Sequence, residues 1–316
     1  MSSVPHFAPL DGSIPVIPGF LDFHAKHNPN RLYYVFPLED PDITSISFKE
    51  FSNATHRAAH ILRPGGAGPE RTLVAILVHT DNVMYHALVV GAIRAGYIPF
   101  LVGARNSAAA IQSMFERTGC HHVITQPTFS TVIEAVRTAL PADFALDVTP
   151  SPSFFDLFPA YAAGAGPGVA ACVEPTPYPP SSYVPQPSDL VLYLHSSGST
   201  GYPKPVPQYQ KTLLSWCNSD ALLQSRKRAV RWAGMALPPY HSLAFVLQML
   251  CPLVSAQPTG LFPPRAPMQQ LPIMATPQNT LEAARRARCT AITCVPAMAE
   301  VSLLVHFPLF RLSLTI

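Results

Sequence analysis

Short, wholly apolar runs alternate with segments that carry helix caps, and this alternation most restricts the fold. TLVAILVH (72–79), YIPFLV (97–102), HHVIT (121–125), DLVLYL (189–194) and AITCV (291–295) have strand length. Their unbroken apolarity, without a polar face, predicts strands covered on both sides. Between them, Ser47 with Glu50 three residues later forms a capping-box pattern, and Phe51, Ala54, Ala58 and Ile61 share one helical face. Asp81 and Ser107 sit where N-caps belong, Gly96 and Gly119 where helices stop, and Pro277 at a favoured first helical position. Further helices are expected near 131–140, 208–224, 243–253 and 277–289, and strands at WAGMALP and TGLF. Strand–helix alternation of this kind predicts an α/β chain with mainly parallel sheets and helices on both faces.

Proline divides the chain. VEPTPYPPSSYVPQPS carries six prolines in sixteen residues and follows AAGAGPG, so 161–188 is expected to be an extended connector. The expected organisation is an extension (1–19), a first α/β subdomain (20–160), the connector, a second, incomplete α/β subdomain stacked on the first (189–303) and an atypical tail (304–316). Charged residues make up only 12% of the chain against roughly 25% in ordinary domains. RKRAVR (226–231) is a short basic cluster, too little for a nucleic-acid footprint. Six cysteines without CxxC spacing suggest small core residues in a reducing compartment. No secretory leader is visible, and no apolar run reaches about 18 residues, so a cytoplasmic chain without a membrane partner is expected.

The strand DLVLYL empties into LHSSGSTGYPKP (194–205), where eight of twelve residues are Ser, Thr, Gly or Pro. Ligands of open α/β sheets bind beyond the carboxyl ends of strands. Gly198 and Gly201 let amide groups approach an anion. Ser196, Ser197, Ser199 and Thr200 add hydroxyls, and Lys204 adds a positive charge. A Walker loop is excluded because Tyr202 and Pro203 separate Gly201 from Lys204; a hydrolase elbow is excluded because the glycines stand three apart.

SSGSTGYPKP resembles the phosphate signature of the adenylate-forming superfamily, which includes acyl-CoA synthetases, peptide-synthetase adenylation domains and luciferases. GAIRAGYIPFLVGARNS (91–107), PPYHSLAF (238–245) and AITCVPAMAE (291–300) resemble further core segments. Their flavour is most similar to fungal carboxylate reductases of the aminoadipate-reductase type. The resemblance covers roughly 20–303. It implies that Ser196, Ser197, Gly198, Ser199, Thr200, Gly201 and Lys204 hold the phosphates of ATP, used with Mg2+, and that His241 lies on the acid-substrate side. The implied substrate is a small carboxylic or amino acid. The implied acceptor is a carrier domain's phosphopantetheine or coenzyme A. Trp216 and Trp232 are expected in cores, and His79 and His195 in local packing or hydrogen bonds.

The family's later Glu, Asp and Lys motifs have no counterpart here: after Thr200 the acids are Asp220, Glu282 and Glu300 alone, none in such a motif. No catalytic or metal-ligating residue is therefore assigned. VHFPLFRLSLTI (305–316) departs from the family pattern, as a truncated or frame-changed gene would. The reading is thus an N-terminal fragment of an acid-activating enzyme. A non-catalytic protein keeping the fold, or part of a standalone acyl-CoA ligase, are the alternatives. The 316-residue chain by itself is expected to give no carboxylate-dependent pyrophosphate exchange; exchange above a protein-free control would contradict that.

Overall fold

The computed structural model describes residues 4–37, 44–161, 174–181, 183–196, 201–265 and 271–294, with Pro296 and Met298. The chain runs α1 (Gly19–His27), β1 (Leu32–Val35), β2 (Ser45–Ser47), α2 (Phe48–Leu62), β3 (Leu73–Leu77), α3 (Asn82–Arg94), β4 (Ile98–Leu101) and α4 (Ala108–Thr118). It continues with β5 (His122–Thr125), α5 (Ser130–Ala139), β6 (Asp147–Pro150), α6 (Phe154–Leu157), β7 (Leu190–His195), β8 (Pro205–Tyr209), α7 (Gln210–Cys217) and α8 (Asp220–Lys227). Last come β9 (Trp232–Ala233), α9 (Ser242–Ala244), α10 (Cys251–Ser255), β10 (Thr259–Gly260), α11 (Pro277–Arg286) and β11 (Ala291–Ile292).

The caps act where the sequence places them. Ser47 Oγ accepts from Glu50 N and Glu50 Oε2 accepts from Ser47 N, at 3.2 and 2.7 Å. Asp81 Oδ1 accepts from Met84 N at 2.9 Å, starting α3, and Gly119 ends α4 with φ 63°. Several of the expected elements differ; the strands expected at WAGMALP and TGLF keep two residues each, Trp232–Ala233 and Thr259–Gly260. The segment expected as one helix from 208 is a strand, Pro205–Tyr209, followed by two short helices broken at Asn218 and Ser219. Pro205 and Pro207 disfavour a helix there and are tolerated because β8 is an edge strand. The helix expected over 243–253 contains a π-helical stretch, Phe245–Leu250, of the kind that often marks functional positions.

Two sheets result. One has the order β6-β5-β3-β4-β7-β8, parallel except for β8, which runs antiparallel to β7. The other has the order β11-β9-β10-β1-β2, parallel except for β2. Each draws strands from both sides of the proline connector. In β3, Val74 and Ile76 enter the core shared with α2, α3 and β1, while Ala75 and Leu77 enter the core under α4 and α5. That is the physical meaning of its unbroken apolar run: both faces are buried, so neither can be polar.

Helix α3 is buried from Val83 through Ala92. Gly91 lets it approach α2 closely: a Cβ there would come 2.4 Å from Ala58 Cβ. The described part of the connector, 174–181 and 183–188, contains no helix or strand and is fastened to α2 and its C-cap: Tyr178 N donates to His56 Nδ1 at 2.9 Å, and Tyr178 OH to the Arg63 carbonyl at 2.9 Å. Trp216 packs beside Phe245, and Trp232 Nε1 donates to Ser225 Oγ at 3.0 Å. Cys120, Cys217 and Cys251 are buried free thiols, consistent with small core residues.

Two core histidines are neutral. His24 Nδ1 accepts from Asn28 and its Nε2 donates to the Leu253 carbonyl, both at 2.7 Å. His86 Nδ1 accepts from Tyr34 OH at 2.9 Å. Burial pushes their pKa values down to about 4 and about 3. The unfolded chain therefore binds these protons first as pH falls below about 6.5, and stability declines by about 1.4 kcal/mol per pH unit for each. Urea midpoints should fall steadily from pH 7 to 5; a flat profile would contradict the neutral pair. Gly91→Ala should cost about 1–3 kcal/mol by overpacking the α2–α3 contact, measured in the same urea titration; no loss would mean that the helices separate freely.

Candidate functional site

Strands β3, β4, β5 and β7 are parallel, so the loops that follow them share one edge of the sheet. The Ser- and Gly-rich sequence leaves from β7 at that edge. Its neck is closed by two hydrogen bonds of 3.0 Å: Ser196 N donates to the Lys204 carbonyl, and Lys204 N donates to Ser196 Oγ. The antiparallel pairing of β7 with β8 brings these residues together, since His195 faces Pro205 across the ladder. Ser196, Gly201 and Lys204 are exposed. Gly201 has φ 137°, a backbone conformation that favours glycine. Ser197, Gly198, Ser199 and Thr200 lie outside the described residues.

His195, the last residue of β7, joins three elements. Its Nε2 accepts from Gly103 N, beyond β4, at 3.0 Å, which fixes the proton on Nδ1. That Nδ1–H donates to the Ser196 carbonyl at 3.0 Å. The Tyr240 ring stacks on the imidazole, with centroids 6.0 Å apart and planes 20° apart. Gly103 makes room for this ring: a Cβ there would meet Tyr240 Cε2 at 2.9 Å. Burial lowers the His195 pKa; the Ser196 carbonyl opposes that shift and the nearby His241 adds to it. The expected local role of His195 is therefore observed, at the neck of the loop.

His241 stands on the turn after Tyr240. Its Nδ1 accepts from Leu243 N at 3.3 Å, capping α9, and its ring is exposed. An amide pair, buried Gln248 and half-buried Asn82, holds the turn from behind. Gln248, in the π-helical stretch, donates to the carbonyls of Gly234 and Leu237 at 2.7 and 2.9 Å. Asn82, the first residue of α3, donates to Gln248 Oε1 at 2.9 Å. Gly234 has no Cβ because Gln248 Cγ lies 2.9 Å from where one would sit. The structure thus brings the loop neck and His241 to one edge, through the stack of Tyr240 on His195.

Gly103, Asn106, Tyr240, Asn82 and Gln248 carry no assigned role in the sequence. Gly103 and Asn106 lie inside the quoted segment 91–107, but their partners are about 90 to 140 residues away. Only tertiary contacts reveal them. A cavity of about 430 Å3 lies at the opposite, amino-terminal edge, beside Arg71, Gly96, Ile98 and Leu190, and contains none of these groups. Lys204 and the exposed hydroxyl neck fit an anionic phosphate. Among the described residues no group of three or more His, Cys, Asp or Glu is placed to hold a metal, and no described helix is long and apolar enough to cross a membrane.

Comparison with known proteins identifies the family and the fold. The model of the family described as AMP-binding enzyme matches residues 21–311. The chain is 35% identical over 304 residues to the adenylate-forming reductase Nps11 of Serpula lacrymans, covering 94% of this chain and 27% of that protein. It is 27% identical over 255 residues to a carboxylic acid reductase of Neurospora crassa, covering 72% of this chain and 21% of that protein. It therefore spans about a quarter of the length of these relatives. Among solved structures, O-succinylbenzoate coenzyme A synthetase of Bacillus subtilis in complex with AMP superposes with a TM-score of 0.67 at 19% identity, covering 92% of this chain and 65% of that one. ATP-bound MatB of Rhodopseudomonas palustris gives 0.66 at 18%, covering 92% and 51%. These likenesses confirm the α/β fold with two mainly parallel sheets, and the chain belongs to the AMP-binding enzyme family.

Proposed function

We propose that this chain is the phosphate-gripping part of a carboxylate-activating adenylation domain, of the type found in fungal adenylate-forming reductases. The reading rests on one observation: the hydroxyl-and-glycine sequence leaves β7 through a hydrogen-bonded neck, with Lys204 exposed beside it. In the proposed reaction a carboxylate oxygen attacks the α-phosphorus of ATP. The bond from that phosphorus to the β-phosphate's bridging oxygen breaks, giving an acyl-adenylate and pyrophosphate. Ser196, Ser197, Gly198, Ser199, Thr200, Gly201 and Lys204 would hold the departing phosphates, where preorganised donors stabilise developing charge. His241 would stand on the acid side of that centre, carried there by the Tyr240–His195 stack. A small carboxylic or amino acid is the proposed substrate, and ATP with Mg2+ the proposed nucleotide. A carrier-domain phosphopantetheine or coenzyme A would take the acyl group.

Isothermal titration of the 316-residue chain with ATP and Mg2+ tests the phosphate grip. The wild-type chain should bind, and Lys204→Ala should bind about tenfold more weakly, as for loss of one charge-assisted hydrogen bond. Its far-UV circular dichroism should not change, because Lys204 is exposed. Equal binding by the two folded proteins, or none by either, would overturn the reading.

A further inference from the structure

A second cation stands at the same edge, in a position the phosphate signature does not include. The sheet order β4-β7-β8 puts the exit of β4 on one side of β7 and the start of β8 on the other. Lys204 immediately precedes β8. Arg105 follows β4, in the turn whose Gly103 N donates to His195 Nε2 at 3.0 Å. Asn106 Nδ2 approaches the same nitrogen at 3.4 Å. The residues on either side of Arg105 are thus drawn against the last residue of β7. Arg105 itself is exposed and makes no ion pair or hydrogen bond among the described residues. Its charge is felt within the site: burial raises the pKa of the Tyr240 phenol, and Arg105 opposes that shift.

Acid groups do not balance the two cations. At the exits of β3, β4 and β7 the described carboxylate is Asp81, which is buried and caps α3. A guanidinium held beside such a loop presents several N–H donors in a planar fork suited to phosphate oxygens. We propose that Arg105 is a second phosphate contact of this site, gripping the polyphosphate from the β4 side while Lys204 grips it from the β8 side. The proposal rests on the phosphate-site reading given above and adds to it a residue from a different loop.

The test is titration of the 316-residue chain with sodium tripolyphosphate, at two salt concentrations, for the wild type and for Arg105→Ala, Arg105→Lys, Lys204→Ala and Arg117→Ala. Arg117 is exposed at the far end of α4 and reports the effect of losing one positive charge anywhere. Arg105→Ala should weaken binding about tenfold and flatten its salt dependence. Arg105→Lys should recover part of the affinity, and Arg117→Ala should change it by less than about twofold. If Arg105→Ala matches Arg117→Ala while Lys204→Ala still weakens binding, the proposal for Arg105 is wrong and the phosphate reading stands. If the wild-type chain does not bind tripolyphosphate, both fail together.

Discussion

The close approach of α3 to α2, which a Cβ at Gly91 would obstruct by meeting Ala58, sets much of what surrounds it. α3 is buried along nearly its whole length, so it must satisfy partners on every side. One side packs on β3 and α2. Another meets the second sheet, where His86 accepts from Tyr34 of β1 and Asn82 binds Gln248. The helix is therefore the fastening between two sheets. Because Asn82 opens α3 directly beyond β3, the fastening lies at the carboxyl edge, where the turn bearing His241 must be held.

Burial also fixes proton positions. His24, His86 and His195 each have a ring nitrogen that accepts from a donor, and the desolvated surroundings oppose a second proton. In His195 this has a directional consequence. A neutral ring with its proton on Nδ1 can accept from the Gly103 amide and donate to the Ser196 carbonyl at once. Protonation at Nε2 would replace the Gly103 bond with two opposed donors. Neutrality is thus part of how the loop neck is built.

Several features were readable in the linear order of residues. The capping box at Ser47 and Glu50 and the caps at Asp81 and Ser107 are local, because each side chain acts on an amide three positions away, and the stops at Gly96 and Gly119 are local because glycine itself adopts the positive φ found there. The apolar run of β3 was readable because burial on two faces removes polar residues from both. The 208–224 segment was less readable: Pro205 and Pro207 serve as edge-strand residues only because β7 lies alongside. Short strands such as β9, β10 and β11 have two residues each and owe their assignment to neighbours rather than to period.

The sequence by itself determined the alternation of strands and helices, the place where the chain turns to glycine and hydroxyl, and the positive charge at Lys204. These depend on the chemistry of neighbouring residues and survive as linear pattern. Tertiary structure alone decided that the exits of β4 and β7 lie side by side, that Tyr240 covers Gly103 and stacks on His195, and that Gln248 anchors the turn from within a distorted helix. Sheet order and long-range packing bring those groups together across 45 (His195–Tyr240) to 166 (Asn82–Gln248) residues of chain, and no residue spacing encodes which strand becomes the neighbour of which.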